Sequence, residues 1–202
     1  MATRTIYLVR HGLHESGSSR NDKLGGSLTP AGVEQAKLTA QRLRSLPISA
    51  IHCSTMRRAA ETAEIIAQAF PDIPLHRSRG LWECYPCIPP IPVYIEFFAQ
   101  VPAEEIAQGR EQAQKAFDRY FKRARGKDKH EILVSHGNLI RCFVCRVLQN
   151  QPEAWGSMDM CNCGIGEVLI KSNGWMILVS HNDVGHLPNQ LITSLTDRSR
   201  QG

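Results

Sequence analysis

The stretch TIYLVRHG, residues 5–12, joins an apolar strand to a charged end. Its central run of isoleucine, tyrosine, leucine and valine predicts a short buried strand. Arg10 and His11 follow this run at once, although a hydrophobic core rarely contains a cation or an imidazole without a partner. The sequence therefore predicts a strand that ends at a functional site.

A second stretch, HEILVSHG at residues 130–137, repeats this pattern. Its apolar strand ends in His136, and a glycine and an amphipathic helical pattern follow. In an open parallel sheet, ligands bind beyond the carboxyl ends of the strands. We therefore expect His11 and His136 to meet at one edge of a sheet.

The remainder of the chain alternates between predicted strands and helices. Thr29 and Pro30 provide a hydroxyl cap followed by proline, which is a helix start, and residues 48–54 predict the next strand. Residues 81–102 contain five prolines, which exclude a long regular element and indicate a functional loop or lid. Residues 172–174, Ser-Asn-Gly, predict the turn of a hairpin. The alternation predicts an α/β protein with three layers, α/β/α, and a mostly parallel sheet with one antiparallel edge strand.

Length and composition favour one domain over residues 1–202. The chain has 202 residues, of which 42% are hydrophobic, and this is enough for one sizeable core. Its formal charge of +5 suits an anionic small molecule or a phosphoprotein as well as a nucleic acid. We expect no nucleic-acid partner, because the basic residues are dispersed and no aromatic residues alternate with them.

The cysteines and the apolar runs bear on the compartment. Seven cysteines, an odd number without the regular spacing of a disulfide framework, predict a reducing compartment. We expect no signal peptide before the first strand, and no run approaches the ~20 apolar residues that span a bilayer. We expect a soluble chain in the cytoplasm or, from the resemblance given below, in mitochondria.

A zinc or redox site is an alternative use of the cysteines. Cys84 and Cys87 have the C-x-x-C spacing of such sites, and a pair at Cys161 and Cys163 could complete a four-thiolate zinc set. Two further cysteines are better explained as buried residues on one helix face: Cys142 and Cys145.

A third motif, CSTMRRAAETA at residues 53–63, places Arg58 in the first turn of a predicted helix. The free N–H groups and the dipole of a helix N-terminus favour anions. We expect Arg58 to face the same edge as the two histidines, and Arg57 to lie solvated on the exposed side of the helix.

Three motifs resemble, in their order and spacing, those of the histidine phosphatase, or phosphoglycerate mutase-like, superfamily. They are LVRHG, the pattern S-x-x-x-R-A-x-x-T-A that begins at Ser54, and SHGNLIR at residues 135–141. The resemblance extends from IYLVRHG to the closing LPNQLITS. Finer detail, including TPAGVEQAKLTAQRL and HGNLIRCFVCRVLQNQPEAW, is most similar to mitochondrial serine/threonine protein phosphatases of the phosphoglycerate mutase family. The resemblance implies hydrolysis of phosphomonoesters, with phosphoserine and phosphothreonine in proteins as the expected substrates.

The resemblance also implies roles for the motif residues. His11 is expected to attack the phosphoryl group and to form a phosphohistidine that water later cleaves. Arg10, Arg58 and His136 are expected to bind the phosphoryl oxygens. No metal ion and no cofactor is expected.

The leaving alkoxide needs a proton, and the resemblance implies a carboxylic acid after the second helix as its source. Glu83 occupies that place, and Glu15 is the alternative because it lies close behind the first histidine in sequence.

Other functions of the same fold stay open. The substrate is a phosphorylated protein or a small phosphomonoester, and a non-catalytic interaction module is a further alternative. Cofactor-dependent mutases are expected to carry a Trp-Asn pair shortly after R-H-G, which HGLHESGSSRND at residues 11–22 lacks. An open, short-loop site admits water, which disfavours a mutase. A homo-oligomer is also left open.

Overall fold

The protein is described here from a computed structural model, which covers residues 1–15 and 24–194. The strands are β1 (Arg4–Arg10), β2 (Ala50–Ser54), β3 (Leu75–Ser78), β4 (Lys129–Ser135), β5 (Ile165–Ile170) and β6 (Met176–Asp183). The α-helices are α1 (Pro30–Leu43), α2 (Arg57–Ala67), α3 (Pro92–Phe98), α4 (Ala103–Tyr120) and α5 (Gly137–Val147). Short 3₁₀ turns lie at Arg79–Leu81, Pro152–Ser157 and Asn189–Leu191.

The strands form one sheet in the order β3-β2-β4-β1-β5-β6. The pairs from β3 to β1 are parallel, whereas β5 is antiparallel to both β1 and β6. The predicted mostly parallel α/β fold is confirmed. The antiparallel strand lies one position inside the edge, because the hairpin turn reverses the chain again and puts β6 at the edge.

Helices cover both faces of the sheet. On one face, α4 and α5 pack against Ile6 and Leu8 of β1. On the other face, α1 and α2 pack against Tyr7 and Val9 of the same strand. The alternation of side chains along β1 therefore separates two hydrophobic cores. No helix in residues 1–15 or 24–194 has the length and apolarity needed to cross a membrane.

Local sequence signals explain where the elements begin. Thr29 caps α1, since its Oγ1 accepts a hydrogen bond from the Gly32 amide at 3.0 Å, and Pro30 follows at the first helical position. The proline-rich segment 81–102 contains only the seven-residue helix α3, so the predicted absence of a long element there is confirmed.

Candidate active site

The two predicted histidines lie side by side at the carboxyl ends of β1 and β4. These strands are parallel neighbours, and Arg10 is paired with Ser135 in their register. His11 and His136 each come one residue later, and their ring centroids are 5.1 Å apart. Only 3% of His11 and none of His136 is exposed. The expectation that both strands deliver a histidine to one edge is therefore confirmed.

Arg58 bridges the two imidazoles from the first turn of α2. Its Nε donates to His11 Nε2 at 3.0 Å, and its Nη2 donates to His136 Nδ1 at 3.0 Å. A guanidinium only donates, so each of these ring nitrogens carries a lone pair. The neighbouring Arg57 is exposed, as the sequence predicted.

Backbone and hydroxyl groups fix the tautomers. The Nδ1–H of His11 donates to the carbonyl oxygen of Gly12 at 2.8 Å, which leaves the lone pair on Nε2, where it accepts from Arg58. The Nε2–H of His136 donates to Ser54 Oγ at 2.9 Å. Both rings thus turn a basic nitrogen toward Arg58.

The surroundings keep both imidazoles neutral. Burial lowers the pKa of His11 well below its usual range, and the positive charges of Arg10 and Arg58 act in the same direction. Burial likewise lowers the pKa of His136, again with help from the two arginines. A neutral imidazole is the nucleophilic form.

Arg10 lies beside the histidines, and one of its N–H groups is not used in a hydrogen bond within the described part of the chain. Its Nη1 donates to the carbonyl oxygen of Met160 at 2.5 Å, while its buried Nε has no hydrogen-bond partner within residues 1–15 and 24–194. Burial lowers the pKa of Arg10 to about 10, so the group stays a cation at neutral pH. A buried donor of this kind would be satisfied by an anionic oxygen.

Glu83 is the carboxylic acid that lies near the arginines. It is half-buried, and its Oε1 accepts a hydrogen bond from the Leu139 amide at 3.3 Å. Burial raises the pKa of Glu83, although the charges of Arg58 and Arg10 oppose that rise. The raised pKa favours the protonated form. Glu15, by contrast, is exposed, and its amide pairs with the Ser27 carbonyl at 2.9 Å.

Residues without a predicted role support the first loop. Thr62 Oγ1 accepts from the Gly12 amide at 3.0 Å and donates to the Arg58 carbonyl at 2.6 Å. Asn162 Nδ2 donates to the His11 carbonyl oxygen at 2.9 Å. Thr62 is the threonine of the S-x-x-x-R-A-x-x-T-A pattern, so the sequence offered a signal for its role. Nothing in the local sequence around Asn162 indicates this contact.

The loop after β1 passes very close to the start of α1. A Cβ atom on Gly12 would lie 2.6 Å from the Gly32 carbonyl oxygen. Real Cβ atoms do not approach backbone oxygens so closely, so the third residue of R-H-G has to be glycine.

The cysteines do not form a site of their own. All seven are free and buried. Cys142 and Cys145 lie inward on α5, as predicted. Across residues 1–15 and 24–194, no group of three or more histidine, cysteine, aspartate or glutamate side chains could hold a metal ion. The zinc alternative therefore has no ligand set in this part of the chain.

Comparison with known proteins identifies the family. The model of the histidine phosphatase superfamily (branch 1) matches residues 6–86 and 95–183. The chain belongs to the histidine phosphatase superfamily. The Caenorhabditis elegans mitochondrial serine/threonine-protein phosphatase Pgam5 is 36% identical over 197 residues, which make up 95% of this chain and 67% of that protein. Human PGAM5, with the same description, is 36% identical over 198 residues, or 95% of this chain and 66% of that protein.

Two solved structures show the same architecture. The phosphoglycerate mutase of Plasmodium falciparum superimposes with a TM-score of 0.65 and 30% identity, covering 94% of this chain and 96% of that chain. A phosphoserine phosphatase variant of Entamoeba histolytica in complex with phosphoserine gives a TM-score of 0.65 at 21% identity, covering 92% of this chain and 100% of that chain. At the lower identity the likeness concerns the fold alone.

Proposed function

We propose that this chain is a protein serine/threonine phosphatase that acts through a phosphohistidine on His11. One observation carries the proposal, namely that Arg58 binds His11 Nε2 and His136 Nδ1 at 3.0 Å each. At this position the phosphoryl oxygens can accept hydrogen bonds from the Arg58 guanidinium. The Nε2 atom of His11 then faces the phosphorus. The relatives that are 36% identical over 95% of the chain are serine/threonine-protein phosphatases, which supports the same substrate class.

In the first step, the electron pair of His11 Nε2 forms a bond to phosphorus, and the bond from phosphorus to the serine or threonine oxygen breaks. Glu83 gives its proton to the departing alkoxide. Arg10 and Arg58 donate hydrogen bonds to the phosphoryl oxygens, where negative charge is concentrated. His136 Nδ1 accepts from Arg58 Nη2, so its part in this step is to hold the guanidinium in position.

In the second step, a water oxygen attacks the phosphorus and the bond to His11 Nε2 breaks. Glu83, now a carboxylate, takes a proton from this water, and inorganic phosphate leaves. At the end of the cycle the proton is back on Glu83 and the electron pair is back on His11 Nε2, so the cycle needs no metal ion or cofactor.

One feature of the sequence bears on the choice between a phosphatase and a mutase. The stretch that disfavours a mutase, residues 11–22, lies partly outside the described residues, so that inference depends on the sequence.

We also propose that residues 1–202 form one histidine phosphatase domain, which the family match on both sides of residues 87–94 supports. The mitochondrial naming of the relatives supports action in that organelle.

A substrate panel tests the proposal. Release of inorganic phosphate would be measured from phosphoserine and phosphothreonine peptides, phosphoglycerates and sugar phosphates, each with and without EDTA. We expect the peptides to be hydrolysed best and EDTA to have no effect. Interconversion of phosphoglycerates without phosphate release would indicate a mutase, and loss of activity under EDTA would contradict the metal-independent mechanism.

A further inference from the structure

A basic cleft lies at the end of the sheet where β1 and β4 begin. It has a volume of about 810 Å³ and is lined by Ser172 and by five cationic side chains: Arg4, Lys122, Arg123, Arg125 and Lys129. Arg4 is paired with Glu131 at 2.7 Å. The other four cations have no ion-pair partner within residues 1–15 and 24–194. The expectation of dispersed basic residues is therefore wrong for this end of the molecule.

The charge of the chain is concentrated at this cleft. Residues 121–130 contain five cations and one carboxylate, a net charge of +4, whereas the whole chain carries +5. The carboxylate, Asp128, accepts a hydrogen bond from the Thr3 amide at 2.7 Å. Solvated basic residues are normally balanced by acidic neighbours, so an excess of this size on one surface favours an anionic partner.

The basic cleft is separate from the active site. Arg4 begins β1 and Arg10 ends it, and at ~3.3 Å per residue the two positions are about 20 Å apart. The cleft therefore does not present its ligand to His11, and a partner bound there leaves the carboxyl edge of the sheet open.

The hairpin beside the cleft adds exposed apolar residues. A Cβ atom on Gly174 in the hairpin turn would lie 3.5 Å from the Arg123 side chain, so the turn borders the cations. Trp175 follows and is 61% exposed. Ile177 and Val179, the next alternate residues of the edge strand β6, are 36% and 53% exposed. Large apolar side chains are rarely left exposed in a row on an edge strand.

We propose that the basic cleft and the Trp175 hairpin dock on the surface of an anionic phospholipid bilayer. Lysine and arginine clusters bind anionic headgroups, and tryptophan is enriched where headgroups meet acyl chains. A single-stranded nucleic acid would instead favour several aromatic side chains interleaved with the cations. In the docked orientation, the active-site edge faces the aqueous phase, where a phosphoprotein can reach it.

Vesicle binding tests this proposal. The protein would be sedimented with phosphatidylcholine vesicles, with vesicles that also contain phosphatidylserine, and with neither. The cleft variant is Lys122→Ala/Arg123→Ala/Arg125→Ala. Its matched control removes the same charge from exposed positions elsewhere: Lys37→Ala/Arg44→Ala/Lys115→Ala.

We expect binding only to the vesicles that contain phosphatidylserine. Each surface cation strengthens such binding about five-fold, so the cleft variant should bind about 100-fold more weakly than the wild type, and the matched control much less so. The emission of Trp175 should shift to shorter wavelength on binding, and this shift should vanish in Trp175→Ser. His11→Ala should bind vesicles like the wild type, which separates this test from that of the proposed catalytic function.

Three results would overturn the proposal. The first is no binding to the phosphatidylserine vesicles. The second is an equal loss of binding in the cleft variant and its matched control. The third is binding of a single-stranded RNA that depends on the cleft while vesicles stay unbound. Hydrolysis of p-nitrophenyl phosphate by the cleft variant should equal that of the wild type, which shows that the variant is folded.

Discussion

Replacing Arg58 with alanine removes the guanidinium that contacts both histidines of the site. Its two hydrogen bonds, to His11 Nε2 and to His136 Nδ1, are 3.0 Å long. Burial lowers the pKa of Arg58, so its charged form is less favoured in the folded protein than in water. The fold should therefore survive the substitution, and its effect should appear in catalysis.

The size of the loss follows from the role of the group. Removing one preorganised donor from a site of developing negative charge costs about 3–4 kcal/mol, or about 10²–10³-fold in rate. A second effect concerns the pKa of His11, which Arg58 helps to lower. Without this cation that pKa should rise, so the acid limb of the pH profile should move to higher pH.

The assay is kcat/KM on a phosphoserine peptide over about pH 5 to 8. Arg58→Lys keeps the charge and loses the planar fork, so it should lose much of the rate while the acid limb stays near its wild-type position. Arg57→Ala is the matched control, since the exposed neighbour should change the rate by less than about 0.5 kcal/mol.

Two outcomes would refute this reasoning. Equal losses in Arg57→Ala and Arg58→Ala would mean that the substrate does not bind between the two histidines. A kcat/KM for Arg58→Ala within a few-fold of the wild type would mean that the guanidinium does not stabilise the transition state.

Three further predictions follow from the site. Glu83→Gln should reduce kcat/KM on phosphoserine peptides about 10²–10⁴-fold. It should affect hydrolysis of p-nitrophenyl phosphate far less, because that leaving group needs no proton. If Glu83→Gln kept its activity on the peptides and Glu15→Gln lost it, Glu15 would be the acid. Because the pKa values of His11 and His136 are lowered, the unfolded state binds more protons below about pH 6.5. The free energy of unfolding in urea should thus be greatest above that pH. At lower pH it should decrease by up to about 1.4 kcal/mol per pH unit for each histidine. A free energy of unfolding that does not change with pH would contradict the buried neutral state of the two histidines. Gly12→Ala should lower the free energy of unfolding by about 1–3 kcal/mol through its clash with a backbone oxygen, and an unchanged urea midpoint would contradict that packing.

The parts of the site that could be predicted from sequence are those encoded by local patterns. His11 and His136 follow apolar strands directly, and the parallel sheet brings strand ends together. Arg58 was predictable because the first turn of a helix after a strand faces the same edge. Each of these inferences needs only the period of a strand or helix and the direction in which it runs.

Other parts depend on contacts between distant segments and left no local signal. Asn162 reaches the His11 carbonyl from about 150 positions away, and it belongs to a loop without periodicity. The basic cleft joins a run of cations at residues 122–129 to Arg4 of β1 and to the hairpin turn, and only the fold brings these segments together. The position of β5 inside the sheet also depends on long-range pairing, which a turn signal alone does not specify.

The most direct test of the central claim is to detect phosphate on His11. The enzyme would be mixed with a phosphoserine peptide, quenched rapidly in alkali, in which a phosphoramidate survives, and digested for mass spectrometry. The account predicts a phosphorylated peptide that carries the modification on His11, and its loss together with turnover in His11→Ala. Substantial turnover by His11→Ala, or a wild-type enzyme that turns over rapidly with the label on another residue, would contradict the covalent mechanism.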